Sequence, residues 1–92
     1  MGKIIIFYLE RCPYCRNAQK VVTALKAENA ALDAVDIEWI EESRQPDVAG
    51  KFDYYYVPAI FLDAEKLYEC SPADDYEAIR KNIKAALDRA VE

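Results

Sequence analysis

The sequence predicts a single α/β domain over residues 1–92, with four strands in one mixed sheet and about three helices. An apolar run at 4–9, a helical pattern at 13–28 and an alternating segment at 35–40 make a parallel β-α-β unit. A short polar turn at 63–66 separates two further apolar stretches and is long enough only for an antiparallel hairpin. An amphipathic helix closes the chain, giving the order β-α-β-α-β-β-α.

The elements follow in order. Residues 3–9 form the first strand, because Ile4-Ile5-Ile6-Phe7-Tyr8-Leu9 has the near-continuous apolar character of a strand covered on both faces. Residues 13–28 form the first helix. Pro13 suits its first position, where a missing N–H costs nothing. Val21, Val22 and Leu25 recur at helical spacing and face the sheet. The second strand is expected at 35–40, where Val35, Ile37 and Trp39 alternate with Asp36, Glu38 and Ile40. Trp39 reads as a core residue there, and Glu38, Glu41 and Glu42 as a solvated face. A short helix is expected at 46–52, ending near Gly50-Lys51. Residues 54–62 contain the third strand, with Pro58 at its start, and 67–70 form the fourth. The last helix begins within 71–75, with Ser71 or Asp74 as its cap. Tyr76, Ile79, Ile83, Leu87 and Val91 then share one face at spacings of three and four.

Composition narrows the function. A chain of 92 residues buries only about two-thirds of its unfolded surface, so the core is modest. No apolar run approaches the roughly 20 residues that cross a bilayer. Met1-Gly2-Lys3 is followed by six apolar residues, then Glu10 and Arg11, which is too short for the core of a secretory leader. A reducing cytoplasm is therefore the expected compartment, where paired cysteines serve catalysis more often than stapling. The net charge of −5 argues against nucleic acid and anionic membranes as partners. The chain has no histidine, which removes Cys-His hydrolysis and His-ligated zinc. With two glycines, it cannot build a glycine-rich phosphate loop.

Cys12-Pro13-Tyr14-Cys15 sits between the first strand and the first helix. Positions three apart at a helix start bring two sulfurs close enough to bond. Cys12 falls at or just before the N-cap, where unpaired N–H groups and the helix dipole favour a thiolate. Arg11 and Arg16 flank the motif and add positive charge. Cys15 lies one turn further in and is more buried. These placements make Cys12 the thiol that attacks a disulfide and Cys15 the thiol that resolves the mixed disulfide. Half of a zinc site and an inert buried pair are the alternatives, and neither needs the strand–proline–helix setting. Cys70 reads as a small buried hydrophobe, with a regulatory thiol as the alternative. Tyr54, Tyr55 and Tyr56 read as sheet and core contacts; the alternative puts one beside Pro58 in a substrate groove. Tyr14, exposed between the cysteines, is a candidate substrate contact.

Ile4-Ile5-Ile6-Phe7 leading to Cys12-Pro13-Tyr14-Cys15-Arg16, then Val57-Pro58-Ala59-Ile60-Phe61-Leu62-Asp63, resembles the dithiol glutaredoxins over nearly the whole chain. That resemblance implies a thioredoxin-like three-layer α/β/α fold and a thiol–disulfide oxidoreductase with no obligatory cofactor or metal; nothing visible in the sequence demands a dimer, so a monomer is expected. It implies a nucleophilic Cys12, a resolving Cys15 and a cis Pro58. It also implies glutathione as co-substrate, paired with the Val57 backbone, with Tyr56 beside it and Arg11 and Arg16 near a carboxylate. Glutaredoxins carry a Gly-Gly pair and an Asp after the fourth strand to hold the γ-glutamyl end. Here Tyr68-Glu69 replaces the glycines, and Cys70-Ser71-Pro72-Ala73-Asp74-Asp75 follows, with Asp74 and Asp75 as displaced candidates for the acid. Larger side chains would narrow the groove, and Glu69 would repel an anionic tripeptide. A protein disulfide as substrate, or thioredoxin reductase as electron source, is the alternative. An iron–sulfur cluster held by Cys12 and glutathione is another.

Overall fold

The computed structural model describes residues 2–92. Its elements are β1 (Ile4–Tyr8), α1 (Pro13–Glu28), α2 (Ala30–Asp33), β2 (Ile37–Glu41), α3 (Pro46–Ala49), β3 (Ala59–Leu62), β4 (Glu65–Glu69) and α4 (Tyr76–Val91). The sheet order is β2-β1-β3-β4. β1 and β2 are parallel, with Ile6 opposite Trp39. β3 runs antiparallel to both β1 and β4.

Helices cover both faces, which explains the uninterrupted apolar run of β1. Side chains alternate across a strand. Ile4 and Ile6 pack with Val21, Leu25, Ile79, Ile83 and Leu87 beneath α1 and α4. Phe7 turns the other way and packs with Ile40, Ala59 and Phe61, against Val48 and Ala49 of α3. The result is a three-layer α/β/α domain with β1 near its centre.

Several boundaries differ from the sequence expectation. α2 is an additional single turn, started by Asn29, whose side chain accepts from the Ala31 N–H at 2.9 Å. β2 begins at Ile37, and Val35 is buried in the preceding loop. β3 is confined to the residues after Pro58, so 54–57 is a loop. The hairpin turn shrinks to Asp63-Ala64, and Asp63 adopts φ 53°, a region Asp tolerates better than branched residues. The cap of α4 is Asp75, not Ser71 or Asp74: its carboxylate accepts from the Ala78 N–H at 2.9 Å. The buried stripe of α4 is Ile79, Ile83, Ala86, Leu87 and Ala90, with Tyr76 and Val91 at the exposed ends. Trp39 is half-buried, with its ring against Tyr8.

Candidate functional site

β1 delivers the chain to the start of α1, and the loop between them is tied down by one unexpected acid. Glu41 is buried, at 8% exposure, rather than part of a solvated face. Its carboxylate accepts from the Ser43 hydroxyl at 2.6 Å, the Ser43 N–H at 2.7 Å and, at 3.4 Å, the Glu10 N–H. The end of β2 thus anchors the segment that carries Arg11 and Cys12. Of the other two acids of that group, Glu38 is exposed and pairs with Lys3.

Cys12 is the N-cap of α1, with extended backbone (φ −84°, ψ 120°) and Pro13 at the first helical position. Its sulfur makes no capping bond and lies 3.8 Å from the Val57 carbonyl oxygen. Cys12 is half-buried, whereas Cys15 is 1% exposed. Both thiols are free. The Leu9 N–H donates to the Cys15 sulfur at 3.5 Å. Burial nevertheless dominates and pushes the Cys15 thiol up to about 12, because a thiolate there would lose its water; the adjacent Cys12 acts in the same direction. The two sulfurs are neighbours in unlike surroundings, one reachable and one sequestered.

The loop opposite them carries Val57 and Pro58, joined by a cis peptide bond. Pro58 is buried, and its carbonyl accepts from the Cys70 N–H at 3.0 Å. Cys70 is buried too, and desolvation raises its thiol. Of the three consecutive tyrosines only Tyr54 joins the core, stacked on Phe7. Tyr55 and Tyr56 stand out at 86% and 55% exposure beside Val57, and this corrects the expectation that all three pack inward.

Tyr14 is less exposed than its place in the motif suggests. It is half-buried against the core, and its hydroxyl donates to the Pro72 carbonyl at 2.9 Å. α1 and the β4–α4 loop are thereby joined. Arg11 and Arg16 are exposed, and neither takes part in an ion pair among the described residues.

The segment that departs from the glutaredoxin pattern is occupied by its own side chains. Tyr68 points into the core, and its hydroxyl donates to Asp74 at 2.6 Å. The Ser71 N–H bonds the same carboxylate oxygen at 3.1 Å. The Tyr68 hydroxyl, and then the Ser71 amide, hold Asp74 below the usual carboxylate range. Asp75 is engaged as the α4 cap. Glu69, on the opposite face of β4, is no isolated negative charge. One oxygen accepts from Lys66 at 2.8 Å, and the other from both the Tyr55 and Tyr56 N–H groups, each at 2.8 Å. Sequence reasoning missed this clamp, because nothing local links position 69 to the amides at 55 and 56.

Among the described residues, no three His, Cys, Asp or Glu side chains are arranged to hold a metal ion, and no helix is long and apolar enough to cross a membrane.

No family model matches the chain. It is similar to a thioredoxin of Methanocaldococcus jannaschii, 30% identical over 83 residues that span 88% of this chain and 95% of that protein. It is 42% identical to human glutaredoxin-1 over 77 residues, 76% of this chain and 68% of that one. Among solved structures, thioredoxin Mala s 13 of Malassezia sympodialis matches with a TM-score of 0.69 at 19% identity, over 97% of this chain and 74% of the other. Thioredoxin 1 of Thermosipho africanus matches at 0.57 with 16% identity, over 98% and 99%. The structural likenesses establish the thioredoxin fold. With sequence relatives at this identity and coverage, the chain belongs to the thioredoxin and glutaredoxin family of thiol–disulfide oxidoreductases.

Proposed function

We propose that the protein reduces protein disulfides or glutathione mixed disulfides by dithiol exchange, with Cys12 as nucleophile and Cys15 as resolving thiol. The observation that carries this reading is the contrast between the two sulfurs: Cys12 is accessible at a helix N-terminus and faces the Val57 carbonyl, while Cys15 is sequestered behind it. The Cys12 thiolate attacks one sulfur of the substrate disulfide. A Cys12–substrate disulfide forms, and the other substrate sulfur leaves as a thiolate that takes up a proton. Cys15 then loses its proton, attacks the Cys12 sulfur and releases the second substrate thiol. The substrate gains two electrons and two protons, and the Cys12–Cys15 disulfide remains. Because the Cys15 thiol is held up at about 12, its proton must be taken during the resolving step.

Glutathione is the proposed electron donor: two molecules return the pair to the dithiol and leave as glutathione disulfide. Arg11 and Arg16 supply cations for its carboxylates, and the Val57 backbone pairs with its cysteine, with Tyr56 alongside. Asp74 and Asp75 are engaged internally, so neither is assigned to the γ-glutamyl end. A reducing cytoplasm suits this chemistry, and the acting form is proposed to be a monomer.

The test is reduction of a small glutathione mixed disulfide, with reduced glutathione and glutathione reductase as the regenerating system. Turnover is expected to vanish in Cys12→Ser, and Cys15→Ser is expected to accumulate a mixed disulfide. Full activity in Cys12→Ser would overturn the mechanism. No wild-type turnover, with a Cys12–Cys15 disulfide that dithiothreitol still reduces, would transfer the donor role to a reductase such as thioredoxin reductase.

A further inference from the structure

The loop 54–57 faces Cys12, yet sheet pairing in β3 begins only at Ala59. Tyr54 and Val57 pack against the Phe7 cluster at its two ends, and between them the backbone is held by a side chain. Glu69 lies at the end of β4, opposite Ala59, and its side chain is 17% exposed. A single carboxylate oxygen receives two successive backbone N–H groups, from Tyr55 and Tyr56, at 2.8 Å each. The second oxygen receives the Lys66 ammonium, also at 2.8 Å. Bonds to an ionised acceptor are stronger than neutral ones. The Lys66 ammonium first, and then the two amides, keep this carboxyl below its ordinary range, so it is charged at neutral pH. The next residue along is Val57, whose carbonyl oxygen is 3.8 Å from the Cys12 sulfur.

We propose that Glu69 is a positioning residue for the exchange reaction: its hold on the Tyr55 and Tyr56 amides fixes the Val57 carbonyl against Cys12 and presents the two exposed tyrosines to a polypeptide disulfide. The proposal rests on Cys12 being the attacking thiol. The partner it favours is a protein, because Tyr55 and Tyr56 offer aromatic surface well beyond the two sulfurs. A loop held in one conformation pays less ordering entropy on binding than one that must be fixed at each encounter. In-line exchange between sulfurs is also sensitive to small misplacements.

The experiment compares wild type, Glu69→Ala and Glu69→Gln on two substrates, insulin and hydroxyethyl disulfide, alongside the amide resonances of Tyr55 and Tyr56. Glu69→Ala is expected to raise the KM for insulin about tenfold. The redox potential of the Cys12–Cys15 pair, and its reduction by dithiothreitol, are expected to stay at wild-type values. Both amide proton resonances should move upfield. Glu69→Gln keeps an acceptor oxygen and should recover part of the loss; it also carries the test if Glu69→Ala does not fold. Wild-type kinetics on insulin in Glu69→Ala (or in Glu69→Gln where Glu69→Ala does not fold), or unmoved Tyr55 and Tyr56 resonances in Glu69→Ala, would overturn the proposal. Exchange that persists in Cys12→Ser would instead overturn the reading beneath it.

Discussion

Tyr54 stacks on Phe7, with ring centroids 4.9 Å apart and planes 19° from parallel, while its hydroxyl is buried without a hydrogen-bond partner among the described residues. Burial, followed by the negative charge of Glu42, pushes this phenol up to about 12. The ring is anchored among Phe7, Phe61 and the other apolar residues beneath α3. Its oxygen, by contrast, gives up water and receives nothing in return. Tyr54→Phe keeps the stacking and removes the unmatched hydroxyl. The expected outcome is neutral to stabilising, by up to about 1 kcal/mol in urea unfolding, because an unsatisfied buried group carries a desolvation cost. A loss of more than about 1 kcal/mol would show that the hydroxyl has a bonding partner in solution.

The three thiols should separate cleanly toward an alkylating reagent. Cys12 is half-buried at the surface end of α1, whereas Cys15 and Cys70 are 1% and 2% exposed. Desolvation raises both buried thiols, so they remain protonated through neutral pH. Brief treatment of the reduced native protein with iodoacetamide at pH 7 is expected to modify Cys12 alone, read by peptide mass spectrometry. All three cysteines should react in urea. Early labelling of Cys15 or Cys70 would contradict the burial that separates their roles.

Acid should loosen the three carboxylate anchors around the site. Glu69 is held below the ordinary carboxylate range by Lys66, Asp74 by the Tyr68 hydroxyl, and Glu41 chiefly by the Ser43 hydroxyl. A carboxyl whose folded value is depressed binds its proton more readily when unfolded. Its stabilisation is complete above the unfolded value of about 4 and is lost as pH falls through the folded value. Thermal unfolding midpoints are therefore expected to be flat from pH 7 to about 5 and to fall below about 4. The Tyr55 and Tyr56 amide resonances should shift over the same acidic range as Glu69 protonates. Asp74→Asn should flatten the acid limb; an unchanged limb in that variant would remove Asp74 from the account.

Much of this was legible in the chain, for reasons that are local. The apolar run of β1 needs cover on both faces, Pro13 fits only the beginning of a helix, and the short turn at 63–66 permits only a hairpin. The Cys-Pro-Tyr-Cys spacing places one thiol at the helix terminus and the other a turn inside, and the structure puts them there. The α2 turn escaped because a single turn leaves no periodic signal, although Asn29 is a good cap. The cap of α4 moved to Asp75 because Asp74 is drawn away by Tyr68.

The sequence by itself determined the order of the elements, the parallel β-α-β start and the position of the reactive pair, because each depends on residues close together in the chain. Tertiary structure alone decided what the acids and tyrosines do. Glu41 reaches back 31 positions to the Glu10 amide, Tyr14 reaches 58 positions to Pro72, and Glu69 meets amides 13 and 14 positions away. In composition each is simply a polar or aromatic residue. A carboxylate will accept from whatever donors the fold brings within reach, so its role is set by the packing of strand against loop, which no local pattern encodes.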